Sequence, residues 1–102
     1  MRTRPKGPRR YIRPRVHSRL SFGAWFGRHL VAMDCTYDRM GQLLGVHPNT
    51  VEGWVSGRYV PLLPNCIRIC RLIAIGFGRD FAEVVVEASE AVLETELRRD
   101  TA

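Results

Sequence analysis

The chain has 102 residues, 45% of them hydrophobic and 25% charged, with a formal net charge of +6 at pH 7. That is one domain's length with material for a modest core, which excludes a wholly disordered chain and two separate cores. No apolar run approaches the roughly 18 residues that a membrane span needs. The basic start MRTRPKGPRRYIRPR leads into no apolar stretch, and its prolines break the helix of an organelle presequence, so a cytoplasmic protein is expected.

Charge is unevenly spread. Residues 1–33 carry nine Arg or Lys and no Asp or Glu, residues 34–79 carry five basic and three acidic, and residues 80–102 carry two basic and seven acidic. Such polarity suggests a basic end that meets a polyanion and an acidic end that does not. Residues 1–19 hold Arg2, Arg4, Lys6, Arg9, Arg10, Arg13, Arg15 and Arg19 among Pro5, Pro8 and Pro14, with few large apolar side chains. Too little surface can be buried there to offset the entropy of ordering, so a disordered, flexible basic N-terminal arm is predicted over 1–19. The folded domain is then 20–102.

Ser21 is a plausible cap for a first helix from Phe22 to Asp34, with Phe22, Trp25, Phe26, Leu30 and Met33 facing inward. Gly23 and Gly27 either weaken that helix or permit a close packing contact. Thr36 has the residue type of an N-cap for a second helix, Tyr37 to Leu44, and Asp38 places negative charge at the positive end of its dipole. Met40 and Leu44 give this helix one apolar face, and Gly41 leaves room for close backbone approach. Gly45 stands where a helix ends in a left-handed residue, and Pro48 suits the first turn of a third helix, Pro48 to Ser56. Val51, Trp54 and Val55 form the apolar face of that third helix. Two short helices joined by a glycine turn make a helix-turn-helix, whose second helix can lie in the DNA major groove.

Gly57, Pro61 and Pro64 mark a loop over 57–64. A fourth helix is predicted from Leu63 to Ile75, with Leu63, Cys66, Ile67, Cys70 and Ile73 on one stripe. A last, acidic helix runs from Asp80 to about Leu97, carrying Phe81, Val84, Val85, Ala88 and Val92. Its segment FAEVVVEA has three consecutive valines, and a strand is the competing reading there. The fold class is therefore all-α, with five helices.

Three cysteines, Cys35, Cys66 and Cys70, are an odd number without a secretory signal, which argues against a disulfide framework. Cys66 and Cys70 lie one helical turn apart, but no further Cys or His stands at a familiar zinc spacing, so they read as small apolar residues on a buried face. No paired nucleophile and base, phosphate-binding glycine loop or metal cluster is visible in the sequence. Neither enzyme activity nor a cofactor or metal is expected.

The segment Phe22–Ala88 resembles the lambda-repressor-like helix-turn-helix family of phage Cro and repressor proteins and many bacterial regulators. The resemblance rests on Thr36, Gly41, Gly45, the run Thr50-Val51-Glu52-Gly53-Trp54, Gly57 and Pro61, and covers about two thirds of the chain. It implies a five-helix bundle that binds double-stranded DNA as a transcription regulator. Three positions depart from the family pattern: Tyr37 where Gln often touches a phosphate, Val55 where Glu is frequent, and Gly53 where a base-contacting side chain is frequent.

With the third helix in the groove, its outward face would present His47, Pro48, Asn49, Glu52, Gly53 and Ser56. Asn49 can pair bidentately with adenine, and Glu52 can accept from cytosine or else repel phosphate and restrict the register. Pro48 and Gly53 complete the expected base-facing surface. Thr50 and the free N–H groups of the helix start suit a phosphate oxygen, and His47 can cap the helix or touch the backbone. Tyr37, Arg39, Ser56 and Arg58 complete the expected phosphate contacts. No Arg or Lys lies between Arg39 and Arg58, so the third helix has no arginine of its own for guanine. The neutralising charge is expected from the arm, along the backbone or in a narrow minor groove. Dimerisation through Val84, Val85, Ala88 and Val92 of the last helix would match two half-sites, and the nucleoid is the expected location. The alternative is a helix-turn-helix that binds protein, such as an antitoxin or a polymerase-binding cofactor. Gly53 and a third helix without any basic residue favour that alternative, whereas the arm and Arg58 oppose it.

Overall fold

The computed structural model describes residues 20–101, and the arm residues Arg2 to Arg19 lie outside the described residues. Five helices follow in order: α1 Phe22–Ala32, α2 Tyr37–Leu44, α3 Pro48–Ser56, α4 Leu63–Phe77 and α5 Phe81–Thr101. No strand occurs among the described residues, and the three valines of FAEVVVEA lie within α5. The expected helices are reproduced, with α1 ending two residues earlier than expected and α4 and α5 running further.

The starts of α1, α2 and α5 have local causes. The Ser21 side chain accepts from the Ala24 N–H at 3.3 Å, Thr36 Oγ1 from the Arg39 N–H at 3.0 Å, and Asp80 Oδ2 from the Glu83 N–H at 3.1 Å. These bonds occupy donors that a helix start otherwise leaves unpaired. At α1 a second partner comes from the far end of the chain, where Thr95 Oγ1 accepts from the Phe22 N–H at 2.9 Å. The first and last helices are thereby pinned together.

The core is formed by Phe22, Trp25, Phe26 and Leu30 of α1, Met40 and Leu44 of α2, Val51 and Trp54 of α3, Ile69, Cys70, Ile73 and Ala74 of α4, and Val84, Ala88 and Ala91 of α5. No polar or charged residue is buried among the described residues. On α4 the buried face differs from the expected stripe: Ile69 is fully buried, whereas Leu63 is 72% exposed. Leu63 stands at the first position of α4, and α5 packs on the face centred on Ile69, Cys70 and Ile73. On α5 the inward residues are Val84, Ala88 and Ala91, and Phe81 stays at the surface.

The glycines of α1 resolve as packing devices. A Cβ on Gly23 would overlap the Val55 carbonyl oxygen and lie 2.8 Å from that of Trp54, and one on Gly27 would lie 3.2 Å from the Val55 side chain. Backbone-to-backbone approach of α1 to α3 therefore needs glycine at position 23. Gly41 does the same for the turn after α2, where a Cβ would lie 2.6 Å from the Val46 carbonyl oxygen.

Candidate nucleic-acid interface

The α2–α3 unit is built by its turns. Gly45 has φ of 73°, and this left-handed residue sends the chain back so that the Val46 N–H donates to the Gly41 carbonyl at 2.9 Å. Two residues later His47 starts α3 with extended backbone, and its Nδ1 accepts from the Asn49 N–H at 3.0 Å. His47 is thus the helix cap, the first of the two roles open to it in the sequence. The same residue's carbonyl accepts from the Thr50 N–H at 2.9 Å, and Pro48 has no N–H. The start of α3 consequently offers no unpaired N–H at positions 48 to 50, contrary to expectation. Any phosphate contact there falls to side chains.

Val51 and Trp54 are buried against α1 and α2, which turns the opposite side of α3 outward. Asn49 and Ser56 are exposed on that side and Glu52 is half-exposed between them, while Pro48 and Thr50 are half-buried. The Ser56 hydroxyl donates to the Gly53 carbonyl at 3.2 Å, leaving its oxygen able to accept. On α2, Tyr37 and Arg39 are exposed, and Arg39 Nη1 donates to Gln42 Oε1 at 3.4 Å.

Position 53 is occupied in an unforeseen way. Gly53 is buried, and a Cβ added there would run into the Tyr59 ring, so the outward surface at that level is the tyrosine's. Gly57, with φ of 88°, produces this arrangement. Its left-handed turn lets the Arg58 N–H donate to the Gly53 carbonyl at 3.0 Å and the Tyr59 N–H to the same oxygen at 3.3 Å. The chain then runs back along α3, and the Arg58 guanidinium forms an ion pair and hydrogen bond with Glu52. Two expected contact residues, Glu52 and Arg58, are thereby brought together. Tyr59, 54% exposed, was not foreseen. Its signal in the sequence is an aromatic residue two positions after a helix-ending glycine, opposite a side-chain-free position.

Away from this face, Cys70 is buried with its thiol 4.0 Å from the Val84 carbonyl, while Cys66 is half-buried. The neighbouring Cys66 and burial both push the Cys70 thiol well above the ordinary thiol range. No group of three His, Cys, Asp or Glu residues able to hold a metal ion occurs among the described residues, and none of their helices is long and apolar enough to cross a membrane. Comparison with protein-family models, curated proteins and solved structures finds no match to this chain.

Proposed function

We propose that this protein is a sequence-specific double-stranded DNA-binding transcription regulator of the Cro and repressor kind, a helix-turn-helix module with α3 in the major groove. The observation that carries the reading is the outward face of α3. A short helix, fixed on its inner side by Val51 and Trp54, presents Asn49, Glu52 and Ser56 from a rigid base. Asn49 reads a base edge, whereas Arg39, Tyr37 and Thr50 meet the flanking phosphates. The basic residues of 1–19 follow the backbone or enter the minor groove and provide most of the neutralisation.

One module reads few bases, and two copies related by a two-fold axis would read two half-sites. Of the residues expected to make that contact, Val84 and Ala88 are buried within the monomer, and Val85 and Val92 are half-buried against its core. The surface of α5 instead presents Val86, Leu93 and Leu97, each more than half exposed and spaced along one side of the helix. These side chains form the proposed dimer face.

Asn49→Ala tests the reading. The substitution should cost about 1–3 kcal/mol at one base position and leave non-specific binding nearly intact. An equal loss on every sequence would assign Asn49 to the backbone instead.

A further inference from the structure

The geometry points to Arg58 as a base-reading residue, a guanidinium placed beside the outward face of α3 from outside the helix and held there by Glu52 and Tyr59. The inference rests on the DNA-binding reading and deepens it, because it supplies the arginine that α3 itself lacks between Arg39 and Arg58.

Three observations fix the placement. The left-handed Gly57 reverses the chain, and the Gly53 carbonyl accepts from the N–H groups of both Arg58 and Tyr59, which locks the first two residues after the turn onto α3. The absent side chain at Gly53 makes the seat for the Tyr59 ring, and the tyrosine's hydroxyl interacts with the guanidinium. Glu52 Oε1 then accepts a hydrogen bond from Arg58 Nη2, with both side chains well exposed at 54% and 40%. Glu52 first, and then the neighbouring Tyr59 phenol, raise the already high pKa of the guanidinium, so it stays charged.

Charge decides what such a group recognises. Arg58 and Glu52 together are neutral, so a phosphate brought to this arginine would also approach a carboxylate and gain little net attraction. Guanine O6 and N7 are uncharged acceptors and do not suffer that repulsion. Nη2 carries two hydrogens, so after one has gone to Glu52 the other still forms a parallel pair with a neighbouring N–H of the fork, and such a pair matches the guanine edge. Holding the guanidinium in advance also lowers the side-chain entropy lost on binding. Glu52 is in this account a positioning residue, and it disfavours phosphate at the same place.

Site selection from random duplexes by the full-length protein, followed by binding of R58K and E52Q to the selected duplex and its single-base variants, tests the assignment. Wild type should select a G·C pair at one position. R58K keeps the charge but loses the fork, and should lose at least about tenfold discrimination at that position with little change in salt dependence. E52Q should weaken the same preference while raising affinity for unrelated DNA. If wild type selects a site and R58K keeps every base preference, Arg58 is not a base reader and the inference fails alone. If wild type selects no sequence, the DNA-reading function fails and the inference with it.

Discussion

His47 shows how much of the interface depends on single side chains. Its Nδ1 bonds the Asn49 N–H, so the residue that orients α3 also fixes the backbone of the proposed base reader. His47→Ala should lower stability by about 1 kcal/mol in thermal denaturation, and His47→Asn should restore most of it. Equal stability of wild type and the alanine variant would remove the cap from the account. Gly53 separates recognition from folding. Alanine there is worth up to about 1 kcal/mol in helix propensity, but its Cβ displaces the Tyr59 ring. We expect Gly53→Ala to melt within about 1 kcal/mol of wild type while losing base discrimination. Retained discrimination would show that the position of Tyr59 is irrelevant. Residue types alone made Asn49, Glu52 and Arg58 visible as candidates. They did not pair Glu52 with Arg58, because that contact depends on the direction taken by the chain after Gly57.

At the scale of elements, helix boundaries were legible because their signals are local. Thr36, Gly45, Pro48 and Gly57 act through their own backbone or through N–H groups three residues away. Which face of a helix is buried was less legible. Helix α4 reads LPNCIRICRLIAIGF, apolar on several sides, so spacing alone could not choose between a stripe through Leu63 and one through Ile69. The arrival of α5 makes that choice. The seam between α1 and α3 gives the sharpest test of packing. Gly23→Ala would force the helices apart, since backbone carbonyls cannot swing aside as a side chain can, and should cost about 1–3 kcal/mol in chemical denaturation. No loss would mean the helices are not in backbone contact. For α5, Leu93→Glu places charge in the exposed apolar stripe and should convert a dimer to monomer in sedimentation at micromolar concentration. A dimer that survives the substitution would place the contact elsewhere.

For the whole molecule, charge is divided between two parts with different work. Residues 1–19 carry eight basic residues and no acidic one, whereas residues 20–102 carry eight basic and ten acidic. The helical part is therefore net negative, and the proposed binding to DNA draws its long-range attraction from the first nineteen residues. Removing residues 1–17 should weaken binding and make its salt dependence shallower by about 0.9 for each phosphate that the arm no longer neutralises. Unchanged affinity and slope would show that the basic segment takes no part. The central claim, that α3 reads sequence while the basic segment supplies strength, is tested most directly by selecting sites from random duplex DNA at two salt concentrations. The same motif should emerge at both concentrations, with weaker overall binding at the higher one. Failure to enrich any sequence at either concentration would contradict it.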